Sequence, residues 1–182
     1  MTEANKPGVP ETFQAQFTCT NGVFVVECER GWAPNGVDRF HELVTSGFYD
    51  ENRFFRVVRS PKPFVIQFGI NGNPGVMQRW RAAAIADDPV RQSNARGTVC
   101  FAATNAPNSR TTQIFINLGD NRFLDDMRFA AFGRVVCGMD VVDAINGEYG
   151  EQPDQSAIQR LGNAYLEERF PNLDYVKKAE II

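Results

Sequence analysis

Between Phe13 and Glu29 apolar and polar positions alternate, with Phe17 and Cys19 before an Asn21-Gly22 pair and Phe24 and Val26 after it. A period of two predicts a β-hairpin that buries one face, here Phe17, Cys19, Phe24 and Val26 together. A two-residue type I′ turn at Asn21-Gly22 would set Cys19 opposite Phe24 and Cys28 opposite Ala15, a register that argues against a Cys19–Cys28 bridge. The period then lengthens. Val37, Phe40, Leu43 and Val44 fall at helical spacing within Asn35 to Ser46, and Gly47 supplies a stop.

Phe54 to Arg59 and Phe64 to Gly69 read as two short apolar strands. Ser60-Pro61-Lys62-Pro63 between them must be loop, because two prolines remove ladder donors. The stretch Ile70 to Arg96 is rich in Gly, Asn, Asp and Arg, with a brief helix-like piece around Arg81 to Ala86. Loops this long inside a compact domain are often functional. Strand-like runs follow at Thr98 to Ala103, Thr112 to Leu118 and Phe129 to Val136. Short helices are expected at Met139 to Ile145 and Asn163 to Phe170, a polar connection at Gly147 to Gln155, and a last strand at Tyr175 to Ile182. Many short strands with a few helices predict a mainly β closed barrel or sandwich. Residues 1–11 read as a loose arm. Residues 12–182 read as one domain, with a C-terminal extension from about residue 147.

At 182 residues the chain is long enough for one full core and too short for two ordinary domains. Hydrophobic residues make up 43% and charged residues 23%, the balance of a soluble globular protein. Fifteen residues are Phe, so large rings must be buried, and some are candidates to line a pocket. The net charge is −3 with no basic cluster, which argues against nucleic acid as a partner. No apolar run approaches membrane-spanning length, and Met1 to Pro10 has no apolar core of a signal peptide, so a cytoplasmic location is expected. A chain trimmed of a signal peptide would read the same.

Four cysteines, Cys19, Cys28, Cys100 and Cys137, sit in apolar, strand-like stretches without metal-binding spacing, so buried reduced thiols and no metal site are expected. The one histidine, His41, falls between Phe40 and Leu43 and reads as a surface or boundary residue. A single His removes Ser-His-Asp and Cys-His nucleophilic schemes, unless His41 is itself the base, and it removes multi-histidine metal sites. Asp87-Asp88 and Asp125-Asp126 are adjacent carboxylates that point apart in extended chain and read as solvated. No phosphate loop occurs. An enzyme with this inventory would work by binding and hydrogen bonding, with no cofactor.

Three blocks carry a family resemblance. Gly47-Phe48-Tyr49-Asp50 leads to Phe54-Phe55-Arg56-Val57-Val58 and Phe64-Val65-Ile66-Gln67-Phe68-Gly69. The second block runs from Gly97-Thr98-Val99-Cys100-Phe101-Ala102 through Ala106-Pro107-Asn108-Ser109 to Gln113-Ile114-Phe115-Ile116. The third is Phe123-Leu124-Asp125, Phe132-Gly133-Arg134-Val135 and Gly138-Met139-Asp140-Val141-Val142. In this order the chain resembles the cyclophilin-type peptidyl-prolyl cis/trans isomerases over Gly47 to Ile145.

The resemblance implies a closed eight-stranded antiparallel β-barrel capped by helices, and catalysis of X-Pro rotation without a cofactor. It implies Arg56 as the donor to the prolyl nitrogen, with Gln67 holding Arg56 or the substrate carbonyl. Phe64, Val65, Phe115, Leu124 and Phe129 would wall the proline socket. Ala102 and Gln113 would contact the residues before proline, and the long loop that carries Trp80 would border the groove. Phe55, Val65 and Phe129 stand where the family commonly has His, Met, and His or Tyr, which makes the socket wider and more apolar. Phe123 stands where some members have Trp, so cyclosporin-type ligands that use the indole N–H would bind weakly. Ser60 to Pro63 lengthens the loop before Phe64. Arg56 and Gln67 in otherwise apolar strands are costly unless paired, and a structural ion pair is the other use for Arg56.

Three functions fit to different degrees. The first is an isomerase acting on proline-containing peptides and client proteins, with a monomer as the default state. The second is a module that holds proline-containing partners with weak catalysis. The third, a barrel for small molecules, gives no reason for Arg56 and Gln67 beside a Phe-lined groove.

Overall fold

The computed structural model describes residues 8–182; most of the expected arm lies outside the described residues. Within it, Val9 is buried against the core and the Glu11 carbonyl accepts from the Arg30 amide. Eight strands form one antiparallel sheet: β1 (Thr12–Cys19), β2 (Gly22–Glu29), β3 (Arg56–Val58), β4 (Val65–Phe68), β5 (Thr98–Phe101), β6 (Ile114–Asn117), β7 (Gly133–Cys137) and β8 (Val176–Ile181). Their spatial order is β3-β4-β6-β5-β7-β2-β1-β8. The helices are α1 (Pro34–Thr45), α2 (Pro74–Trp80), α3 (Phe123–Asp126), α4 (Met139–Asp143), α5 (Gln155–Leu161) and α6 (Asn163–Arg169).

The mainly β class holds, but "closed" overstates the barrel. The edge strands β3 and β8 meet only near Arg53 and Tyr175, an isolated antiparallel bridge with the Arg53 guanidinium 4.2 Å from the Tyr175 ring centre. Beyond that point the Val57 amide donates to the Gly150 carbonyl, so the connection after α4 occupies the edge that β8 would need. The sheet is curled, and its exposed edge is covered by chain rather than by a ladder.

Alternation sorts the strands into two faces. Phe17, Phe24, Ile66, Phe68, Val99, Phe101, Ile114, Ile116 and Phe132 enter the main core with Phe40 and Leu43 of α1. Phe17 is at its centre, stacked on Phe24 at 4.9 Å and edge-on to Phe68 at 5.7 Å. The first hairpin is shifted from its expected register: Phe17 faces Phe24 and Cys19 faces Gly22. The connection is Thr20 and Asn21, neither with positive φ, so the turn is not type I′; Gly22 takes φ 143° instead. The Asn21 side chain donates to the Val141 carbonyl at 2.9 Å rather than serving the turn. A slip of two residues preserves the faces, and Phe17, Cys19, Phe24 and Val26 are all buried as expected.

Cysteine usage is partly corrected. All four are free thiols, and Cys19, Cys28 and Cys100 are buried, but Cys137 at the end of β7 is exposed. In the long stretch after β4 the helix is Pro74–Trp80, where Asn73 caps and Pro74 starts it, and not Arg81 to Ala86. The third strand-like run begins at Gly133, so Phe129 lies outside the sheet. Helices α3 and α5 were not expected.

Three of the four carboxylates in the acidic pairs, Asp87, Asp88 and Asp125, are structural, whereas Asp126 is exposed as expected. Asp87 pairs with Arg110. Asp88 accepts from the Asn35 and Gly36 amides at 3.1 and 2.8 Å, which caps α1, whose own N-cap residue Ala33 has no side-chain oxygen. Asp88→Ala is therefore expected to lower stability by about 1 kcal/mol, read as a lower urea midpoint.

Candidate active site

The face of the sheet opposite the main core carries the site. Register aligns Arg56 with Gln67, Gln67 with Phe115, and Phe115 with Cys100, one row across β3, β4, β6 and β5. Period-two alternation turns all four side chains to the same outer face. A second apolar cluster of Val65, Cys100, Phe115, Leu124 and Ala131 lies there, with Phe64, Ala102 and Phe129 packed against it.

Above this cluster runs a groove of about 480 Å³, lined by nine of the ten residues proposed from sequence: Arg56, Gln67, Phe64, Val65, Ala102, Gln113, Phe115, Leu124 and Phe129. Phe123 is the exception. It is 56% exposed, stacks on Phe64 at 5.9 Å, and borders a neighbouring hollow behind the Ser60–Pro63 loop. Trp80 does not border the groove either; it packs edge-on against Phe48 and under the Arg39 guanidinium.

Polar groups form a chain across the groove floor. Arg56 Nη1 donates to Gln67 Oε1 at 3.0 Å, and Gln67 Nε2 donates to Gln113 Oε1 at 2.7 Å. On its other side Arg56 Nε donates to Glu151 Oε2 at 2.9 Å. The ion-pair use of Arg56 and its position in the groove therefore coexist. Glu151 is 59% exposed, so the pair orients the guanidinium more than it stabilises the fold. The Arg56 guanidinium carbon lies 5.9 Å from the Phe64 ring centre, which sets the cation beside the apolar walls.

A buried asparagine network fixes those walls. Asn121 Nδ2 donates to the Phe64 carbonyl at 2.9 Å and also to Asn117. Asn94 Nδ2 donates to Asp125 and to the Phe129 carbonyl, and Asn94 Oδ1 accepts from Cys100 Sγ and Asn117. Phe129, outside any strand, owes its place to this network and to its edge-on contact with Phe115 at 5.5 Å. Burial alone would raise the Asp125 carboxyl, but hydrogen bonds from Asn94 and Ser93 outweigh it and hold the group below its ordinary range. Because folding lowers this pKa, the carboxylate adds stability above the ordinary value of about 3.9, and loses it as pH falls through the lower folded value. The urea midpoint is expected to drop below about pH 4, and Asp125→Asn to lack that part of the drop.

Sequence reasoning missed one side of the groove. Arg81 and Gln155 and Gln159 of α5 line it together with Thr104, Ser109 and Thr111. The available signal was the four-residue spacing of Gln155 and Gln159, which marks a single helix face once a helix is known to be there.

A family model described as Cyclophilin type peptidyl-prolyl cis-trans isomerase/CLD matches residues 14–162. A peptidyl-prolyl cis-trans isomerase of Streptomyces antibioticus is 41% identical over 136 residues, 69% of this chain and 78% of that protein. Peptidyl-prolyl cis-trans isomerase B of Escherichia coli is 36% identical over 139 residues, 72% of this chain and 82% of its own length. A Cryptosporidium parvum cyclophilin crystallised in the presence of the dipeptide Ala-Pro superimposes with a TM-score of 0.68 at 18% identity, covering 93% of this chain and 98% of the other. A cyclophilin from Hirschia baltica gives a TM-score of 0.66 at 21% identity over 97% of this chain and 80% of the other. The chain belongs to the cyclophilin-type peptidyl-prolyl cis-trans isomerase family. Its activity class is accordingly isomerisation about X-Pro peptide bonds.

Proposed function

We propose that Arg56 is the catalytic group, that Gln67 orients it, and that Phe64, Val65, Phe115, Leu124 and Phe129 hold the proline ring. The barrier to X-Pro rotation comes from amide resonance and is about 18–20 kcal/mol. In the twisted transition state that resonance is lost and the prolyl nitrogen gains a lone pair. A guanidinium aimed at that nitrogen bonds it only then, so it stabilises the transition state over both ground states. The observation that supports this reading is the double tether of Arg56: Nη1 to Gln67 and Nε to Glu151, at the rim of an apolar socket. With two donors committed, Nη2 is left to serve the substrate. No covalent bond is made or broken, so the chemistry asks for no nucleophile.

Ala102 and Gln113 are proposed to contact the residues before proline, and proline-containing peptides and client proteins are the proposed partners. Phe123, without an indole N–H and set outside the groove, supports weak binding of cyclosporin-type ligands. The test is cis–trans exchange of a short Xaa-Pro peptide, followed by NMR. Acceleration at catalytic protein concentration supports the isomerase reading. Peptide binding with no acceleration would favour the partner-holding module instead.

A further inference from the structure

The segment before and within α5 meets the site at three residues. Glu151 holds Arg56, while Gln155 and Gln159, one helical turn apart, line the groove itself. This wall is a fixed part of the fold. Asp154 caps α5 by accepting from the Ser156 and Ala157 amides, and Ala157 and Ile158 are buried behind it. Its far end is pressed against the stretch before α2. The Asn163 amide donates to the Gly72 carbonyl at 3.0 Å, and a Cβ on Gly162 would lie 2.1 Å from that same oxygen.

Gln159 Oε1 is buried and has no hydrogen-bond partner among the described residues. A buried amide oxygen without a partner is unfavourable, and packing alone would be served better by Leu or Met. Rotation of the Gln159 side chain toward the groove it lines brings this oxygen within reach of an N–H of an extended peptide. The glutamine amide offers an acceptor and a donor, matching the N–H and C=O of a peptide backbone. Gln155 and Gln159 line the same groove as Gln113, the residue proposed to meet the chain before proline, whereas Phe123 lines the neighbouring hollow with Phe64.

We propose that α5 is a second substrate-binding wall, in which Gln155 and Gln159 hold the backbone of residues preceding the proline. The preferred substrates are then extended peptide segments rather than isolated Xaa-Pro units. This rests on the isomerase reading above and adds to it a determinant of substrate length.

The test compares kcat/KM for three peptides with the same Xaa-Pro centre: a short one, one extended by several residues before the proline, and one extended equally after it. The proteins are the full chain and the Gln155→Ala/Gln159→Leu double variant. Leu at position 159 keeps an apolar filling in the buried spot, and a thermal melt verifies folding. The advantage of the peptide extended before proline over the short one is expected to shrink by about tenfold in the variant. Equal loss on all three peptides, no loss, or loss on the peptide extended after proline would each overturn the proposal. Calorimetric affinities for the same peptides read the wall without turnover. If the unaltered chain accelerated none of them, the isomerase reading would fail, while the affinity comparison would still decide the role of α5.

Discussion

Arg56→Ala lowers kcat/KM for a short Xaa-Pro peptide by about 10²–10³-fold, the loss expected when one preorganised transition-state donor is removed. Peptide affinity is expected to change far less, because the proposed socket for the ring is Phe64, Phe115, Leu124 and Phe129, which line the groove, and not the guanidinium. That split between rate and binding is the signature of a group that acts only in the twisted state. Arg56→Lys recovers little. The tethers to Gln67 and Glu151 use the planar fork of the guanidinium, and a flexible ammonium cannot make both and still face the groove. Exchange rates by NMR and affinities by calorimetry measure the two quantities separately. Equal losses in rate and affinity would mean that Arg56 only binds, and an unchanged rate would leave the outer-face row without a catalytic role.

Phe17→Ala has the largest expected effect on the fold, about 3–5 kcal/mol of stability. Phe17 is fully buried and makes ring contacts with Phe24, Phe40, Tyr49 and Phe68, so truncation empties a space bounded by two strands, a helix and a loop. Those neighbours are themselves held in ladders and in α1, and they cannot collapse inward without breaking backbone hydrogen bonds. The melting temperature should fall by roughly 10 °C. Urea unfolding with an unchanged slope would show that stability, and not the extent of unfolding, had changed. A loss below about 1 kcal/mol would mean that the cluster around Phe17 is not the main source of core stability.

Both variants touch features that alternation made legible. In Val65-Ile66-Gln67-Phe68 the period of two sends Ile66 and Phe68 inward and Val65 and Gln67 outward, and the same rule places Phe115 between Ile114 and Ile116. Polar groups in such strands stand out in sequence because they need partners. What alternation does not give is which strand lies beside which. Arg56 and Gln67 meet because β3 and β4 pair in one register, and the loop Ser60–Pro63 between them could have closed in others. The first hairpin illustrates the point: its faces followed from sequence, while its register did not, and its turn residue Asn21 bonds Val141, 120 residues away.

The sequence by itself determined the strand faces, helix α1 with its stop at Gly47, the family, and nine of the residues that line the groove. These are local or block-wise properties, written in short-range periodicity and in residue types that are costly to bury unpaired. The tertiary structure alone decided that Glu151 holds Arg56 and that Asp88 caps α1. It also decided that Phe129 is placed by Asn94, and that α5 walls the groove. Each of these joins residues far apart in the chain through polar contacts, and no period in the sequence encodes a partner at that distance. The curled rather than closed sheet belongs to the same class, because the edge of β3 is taken at Val57 by the carbonyl of Gly150 from the chain's last third.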